Sequence, residues 1–367
     1  MTPRQLGFRM PAEWEPHEAT WLAWPHEKSD WPGKFAPVPP LYAEIVRVLA
    51  RREKVRILVQ DAGAEQGVRR WLKKAHADLS AVEFFHHATN RSWTRDFCPL
   101  FVKNQTGEVA ITDWKFNGWA KYDNCAADDA APKFIARSLK LRRFEPGLVL
   151  EGGGIDVNGA GKLLTTEECL LSAVQARNPG LSRREIERAL AAYLGATDVI
   201  WLGRGIAGDD THGHIDDLAR FASRDTVVTV VEPDKSSANH EPLKENLARL
   251  RARGDLRVVT LPSPEPVYYA GQLLPASYAN FYIANGVVLA PTFADPSDRV
   301  ALNTLARVFA DREVIGIPCR DLVLGLGTLH CMTQQQPAGH SIPSLHFSQG
   351  PKVDRKEPYR GPAWSGL

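Results

Sequence analysis

Four segments of the chain share one plan, and that repetition limits the fold more than any other feature. Each opens on a polar or charged residue, runs as a strand, turns at Gly, Asn or Asp, and returns as a second strand. The openings stand at Asp96, Glu151, His214 and Asn280, which are 55, 63 and 66 residues apart. The strand pairs that follow span 101–111, 155–164, 219–228 and 280–289. Turns such as Asn158-Gly159 and Asn285-Gly286 supply the positive φ that a tight hairpin needs. A period of this size points to units repeated about an axis or along a stack.

Helical patterns lie between the hairpins. Ser182-Arg183-Arg184-Glu185 is a capping box, followed by an apolar face of Ile186, Leu190, Tyr193 and Leu194 and a stop at Gly195. Pro242 starts a second helix with Leu243, Leu247 and Leu250 on one side. A third carries Val300, Leu305, Val308 and Phe309, and an earlier one carries Leu41, Ile45, Val48 and Leu49. Short apolar strands follow, as in Asp198–Leu202 and Val314–Ile317. The repeated unit is therefore hairpin, helix, strand, an α/β arrangement. Around an axis it makes a propeller-like disc with the hairpin openings gathered at its centre. No linker or low-complexity tract divides 1–367, so one domain of pseudo-repeats is expected, with the Pro-rich stretch within 262–277 as a loop over the centre.

Charge and cysteine usage narrow the function. A formal charge of +2 over 367 residues is too small to imply nucleic-acid or membrane-surface binding. No run reaches the roughly 18 uncharged apolar residues of a membrane span, and Met1–Leu6 leads into polar sequence without a secretory signal. Five cysteines (Cys98, Cys125, Cys169, Cys319, Cys331) are odd in number and never spaced C-x-x-C. That argues against a disulfide framework or a zinc knot and for a reducing cytosol. A homo-oligomer is left open.

The chemistry-bearing residues fall at the openings and at one cysteine. Cys331 follows Gly325-Leu326-Gly327-Thr328-Leu329-His330 and precedes Met332-Thr333-Gln334-Gln335-Gln336; a buried small apolar residue is the bland reading, and glycines that let a ligand near the backbone favour a nucleophile. Gly208-Asp209-Asp210-Thr211-His212-Gly213-His214-Ile215-Asp216-Asp217 packs two His and four Asp before a strand. If extended from 213, it places His214 and Asp216 on one face, and a histidine beside a carboxylate suits acid–base work. The bland reading is a loop whose polar groups cap one another. The rival reading is a metal site on His212 and His214, for which His17, His26, His86 and His87 offer no supporting motif. Glu151 before three glycines is either a turn with an exposed acid or a close-approach point. Asp96 beside Arg95 is either an ion pair or a buried acid that wants a cation; a planar guanidinium would satisfy two such acids at once. Cys98 either lines the same cavity or packs in the core, and Cys125, Cys169 and Cys319 are read as structural.

Met10–His17, Trp93–Asp96, Leu150–Gly153, Leu163–Leu171, Gly213–Asp216, Asn280–Gly286 and His330–Pro337 together resemble the agmatine deiminase family, which includes the Porphyromonas-type peptidyl-arginine deiminases. The resemblance implies a five-bladed, pentein-like α/β propeller and hydrolysis of agmatine to N-carbamoylputrescine and ammonia. The alternative within the family is a protein-arginine deiminase. Residue by residue, it assigns Cys331 as nucleophile, His214 as general acid/base, Asp96 and Asp216 as guanidinium clamps, and Glu151 as the acid paired with the histidine. Asp210 falls near the substrate amine, and Trp93 and Trp119 either wall the pocket or pack in the aromatic core. No metal and no cofactor is implied, and the partner is a small guanidino molecule. The chain departs from the family at Arg95-Asp96-Phe97-Cys98-Pro99, where Arg-Asp-Thr/Cys-Gly-Pro is usual, and at Gly325–Cys331, where Gly-Gly-Gly-Asn-Ile-His-Cys is usual.

Overall fold

A computed structural model describes residues 1–341; residues 342–367 of the expected single domain lie outside the described residues. Four sheets follow the plan read from the sequence. In each, two short antiparallel strands are joined by a crossover to a third strand that runs parallel to the second. They are Leu100–Lys103, Val109–Thr112 and Arg142–Phe144; Asp156–Val157, Lys162–Thr166 and Asp198–Leu202; Ala219–Phe221, Thr226–Val231 and Arg257–Pro262; and Tyr282–Ala284, Val287–Thr292 and Glu313–Pro318.

A further sheet of the same kind joins the two ends of the chain. Gln334–Pro337 runs antiparallel to His17–Ala23, which pairs in parallel with Lys54–Val59 and then Val82–His86. Its halves lie too far apart in sequence for a period of 55 to 66 residues to reveal it.

Parallel pairing of consecutive strands needs a crossover, and helices provide it: Val38–Leu49, Ala131–Leu139, Arg183–Leu194, His240–Arg251 and Ser297–Val308. The capping box at Ser182 and Glu185 forms as expected, and Gly195 ends that helix at φ 74°. Two expectations are corrected. Pro242 sits inside the first turn of its helix instead of opening it, because the helix begins at His240. Val300 is 53% exposed, and Ala301, Thr304 and Leu305 form the buried face. The stretch expected as a plain loop contains a small hairpin, Tyr268–Tyr269 with Gln272–Leu273.

Middle strands such as Val287–Thr292 and Thr226–Val231 are nearly continuous β-branched or apolar runs, buried along almost their whole length, as strands covered on both faces require. The segments just before the hairpins meet one another. The turn Thr94–Phe97 touches Gly152–Gly154, which touches Ile215–Asp217. Among the described residues no helix is long and apolar enough to cross a membrane.

Candidate active site

Backbone contacts bring the opening segments to Cys331. Arg95 N donates to the Cys331 carbonyl at 3.1 Å, and Thr94 Oγ1 donates to the Met332 carbonyl at 2.7 Å. The Thr94–Phe97 turn is thereby fixed against the cysteine segment, with Asp96 held beside it. The Arg95–Asp96 ion pair considered from sequence does not form. Arg95 instead points away, to Gln334 and Gln335 (both 2.7 Å) and to Glu13 at 3.3 Å.

Asp96 is left to accept from neutral donors: Trp119 Nε1 at 2.9 Å on one oxygen and the Gly153 amide at 3.0 Å on the other. The glycine is required there, since a Cβ at 153 would lie 2.5 Å from His214 Nδ1 and 2.8 Å from Asp96 Oδ1. Gly325 and Gly327 serve a related purpose. A Cβ at either would strike Trp93, and at 327 it would also strike Cys331 within 2.9 Å, so these glycines seat the cavity wall and the thiol itself.

His214 is not on a strand. It precedes a 3-10 turn, Ile215–Asp217, so the shared face expected for His214 and Asp216 is replaced by a tight turn. The two still converge: His214 Nδ1 lies 4.0 Å from Asp216 Oδ1 and 3.8 Å from Asp96 Oδ1. Cys331 Sγ lies 3.6 Å from Asp216 Oδ2. The loop before His214 does cap itself in part, because Asp209 accepts from the amides of Thr211, Gly213 and His214. His212 turns aside to Ser172 Oγ at 3.0 Å and does not join His214 in a ligand cluster.

Glu151 is fully buried and bonds Arg177 Nε at 2.9 Å, a partner that sequence reasoning missed. It makes no hydrogen bond to His214, although its carboxylate lies within 4.8 Å of that ring. Cys169, read as structural, is part of this cluster and sits beside the histidine.

Two further residues complete the setting. His330 bridges Asp216 Oδ2 at 2.7 Å and Glu13 Oε2 at 2.8 Å. Asn280 Nδ2 lies 3.1 Å from Cys331 Sγ. Both were visible in sequence as neighbours of assigned positions, His330 adjoining the cysteine and Asn280 opening a hairpin. Neither carried a signal of its role, because that role depends on partners more than 45 residues away.

The electrostatics follow from burial. Burial, with Asp216, Asp217 and Asp96 nearby, pushes the Cys331 thiol well above its ordinary value. Asp96 rises to about 6, mainly through burial, against the relief given by His214 and Trp119. Burial alone would push His214 down, yet Asp96, Cys169 and Asp216 outweigh it and hold the imidazole well above its usual range. Asp216 stays below its ordinary value despite burial because His330 donates to it. Asp217 is pushed well up by burial and by Asp216 and Asp209.

Cys331 and Asp96 open onto a cavity of about 670 Å³ walled by Trp93, Trp119, Tyr122 and Tyr269. Asp210 lies in the same cavity, bonded to Tyr122 Oη at 2.6 Å and paired with Lys121. Cys98 does not line it; the residue is buried against the core.

The sequence profile of the family described as Porphyromonas-type peptidyl-arginine deiminase matches residues 9–337. An agmatine deiminase of Pseudomonas aeruginosa (strain LESB58) is 36% identical over 366 residues, covering 92% of this chain and 97% of its own. The solved agmatine deiminase of Enterococcus faecalis superposes with a TM-score of 0.86 at 32% identity, covering 92% of this chain and 98% of its own. A cysteine-to-serine variant of Campylobacter jejuni agmatine deiminase with substrate bound gives 0.83 at 31% identity, covering 91% and 97%.

Proposed function

The chain belongs to the Porphyromonas-type peptidyl-arginine deiminase family, and on that premise we propose that it is an agmatine deiminase, a hydrolase yielding N-carbamoylputrescine and ammonia. The observation that carries the residue assignments is the 3.6 Å approach of Cys331 Sγ to Asp216, beside a second buried acid, Asp96. Among the described residues neither acid forms a salt bridge with Lys or Arg. Among these residues their ion-pair partners are histidines only, and Asp216 Oδ1 has no hydrogen-bond partner; a flat guanidinium would supply the paired N–H donors that such carboxylates accept.

Laid across these acids, the guanidinium presents its central carbon to Cys331. Its positive charge offsets the carboxylates that push the thiol up, so binding itself favours the thiolate, and the thiol proton leaves to solvent. The sulfur adds to the carbon, giving a tetrahedral adduct. His214, held protonated, gives its proton to the departing nitrogen; the C–N bond breaks and ammonia leaves. The resulting amidino thioether is attacked by water, from which His214 takes a proton. The C–S bond then breaks, releasing the ureido product and restoring the thiol. Every step uses groups of this chain, substrate and water.

The alkyl-ammonium tail runs outward between Trp93 and Trp119 toward Asp210. Tyr269, on the hairpin over the cavity, donates to the Pro32 carbonyl at 3.0 Å and narrows the mouth. That bridge between two segments of the cavity wall supports a small substrate over the arginyl peptide of a protein-arginine deiminase. The repeated sheets are read as five blades about a pseudo-fivefold axis within one domain of a cytosolic enzyme.

The test is a panel of agmatine, free arginine and an arginyl peptide, scored for ammonia and ureido product. Preference for agmatine, abolished by Cys331→Ala, is expected. Preference for the peptide would favour the protein-directed activity, and turnover surviving in Cys331→Ala would remove the nucleophile.

A further inference from the structure

Behind His214, the acid and base of the reaction above, and on the side away from Asp96, lie two buried donors that make none of its proton transfers, Glu151 and Cys169. Glu151, Cys169 and His214 each place one donor atom within 4.8 Å of the others, and all three side chains are buried. It is the one such group of His, Cys, Asp and Glu found among the described residues. Glu151 commits one oxygen to Arg177 and leaves Oε2 without a hydrogen-bond partner; neither ring nitrogen of His214 has one either. Three buried polar atoms without partners, close to a thiol, are costly unless something joins them.

The two edges of the imidazole face different neighbours. A Cβ at Gly153 would meet Nδ1, the edge toward Asp96. A Cβ at Gly154 would meet Cys169 Sγ at 3.2 Å and the Nε2 edge at 3.9 Å, so Gly154 keeps open the space between sulfur and nitrogen. The Nε2 edge therefore lies on the side of the sulfur, and one carboxylate oxygen of Glu151 is within 4.8 Å of the sulfur and of a ring nitrogen.

We propose that Glu151, Cys169 and His214 form an inhibitory site for Zn²⁺, using Glu151 Oε2, Cys169 Sγ and His214 Nε2 as ligands. One thiolate, one imidazole and one carboxylate form a donor set that zinc accepts, with a fourth position open to water. Zinc–ligand bonds of about 2.0–2.3 Å place ligands roughly 3.3–3.8 Å apart. The three donors, within 4.8 Å of one another, close to that spacing when the ion binds. Protons balance, since Cys169 loses its thiol proton and His214 the proton on Nε2, both to solvent; the thiolate offsets one charge of the ion, and Glu151 is shared between the ion and Arg177, 2.9 Å away. Once Nε2 is ligated, Nδ1–H remains a donor, but losing that proton would leave an imidazolate. The ring then no longer cycles between acid and base, and deimination stops.

Binding and inhibition are tested separately, because only the inhibition rests on the activity proposed above. Co²⁺ is titrated into the full chain carrying Cys331→Ser, which removes the other candidate thiol of the centre. A thiolate-to-cobalt charge-transfer band is expected, saturating at one equivalent, displaced by Zn²⁺, and lost when Cys169→Ser is added. Absence of the band, or its survival in the double variant, overturns the site. Should Cys169→Ser not fold, X-ray absorption of zinc-loaded Cys331→Ser decides. One sulfur with one imidazole supports the site, and a shell without sulfur overturns it. In the unmodified enzyme Zn²⁺ should suppress ammonia release. Cys169→Ser, compared with its own metal-free rate, should raise the inhibitory concentration roughly tenfold or more, since loss of even an outer partner of a metal site costs about that much. An unchanged inhibitory concentration overturns the inhibition. A cobalt band in a protein with no deiminase activity would sink the functional reading and leave the site standing.

Discussion

Asn280 holds Cys331 from two sides: its Nδ2 reaches Sγ at 3.1 Å, while its Oδ1 accepts from Thr328 Oγ1 at 2.7 Å and the His330 amide at 3.0 Å. The amide is thus locked in the orientation that donates to sulfur. A donated hydrogen bond favours the anion over the thiol, so in the proposed mechanism it contributes most once the thiolate has formed.

Asn280→Ala should therefore lower kcat more than it raises KM for agmatine. A hydrogen bond to a charged group contributes about 1.5–3 kcal/mol, or roughly ten- to hundred-fold in rate. Steady-state kinetics check this, and a change confined to KM would assign Asn280 to substrate binding instead.

The acid side of the pH profile should belong to Asp96. Its carboxyl is raised to about 6, so below that pH it takes up a proton and loses its hold on a cation. The expected outcome is a kcat/KM for agmatine that falls as pH drops through about 6. Trp119 donates to Asp96 and lowers its value, so Trp119→Phe should move the acid limb upward. A profile flat to about pH 5, or a downward movement in the variant, would assign the limb to another group.

The free thiol should be sluggish toward alkylation. Burial and the charges of Asp216, Asp217 and Asp96 favour its protonated form, so iodoacetamide should modify Cys331 slowly at neutral pH and faster as pH rises. Asp216→Asn removes one of those charges and should increase the rate at fixed pH. Peptide mapping of the alkylated protein checks both.

Glu13 should prove as important for folding as for the site. It is buried among Arg220 (2.9 Å), His330 (2.8 Å) and Arg95 (3.3 Å), which hold its carboxyl well below the usual range despite burial. Because its value is depressed in the folded state, its contribution is present at neutral pH and is lost as pH falls through that low value. Glu13→Gln leaves buried cations short of a partner, and breaking such a network costs about 3–5 kcal/mol. Denaturant unfolding at pH 7 should show a loss of that order, shrinking in acid.

Much of the fold was legible because its repeat is local. Gly turns, apolar strands and the Ser182–Glu185 cap each sit within one unit, where short-range physics decides. The sheet built from His17–Ala23 and Gln334–Pro337 was not, since no local pattern links the two ends. The site divides the same way. Cys331, His214, Asp96 and Asp216 stand out by residue type at strand openings. Arg177 on Glu151, Glu13 under His330 and Cys169 beside His214 appear only once distant segments meet. The shared face of His214 and Asp216 presumed an extended backbone, and a 3-10 turn, Ile215–Asp217, stands there instead.

The central claim is a bond between Cys331 Sγ and the guanidinium carbon of agmatine. Acid quenching during turnover, followed by peptide mass spectrometry, reads it directly. The Cys331 peptide should gain the mass of agmatine less ammonia. An unmodified Cys331 throughout turnover, with full product formation, would contradict the account.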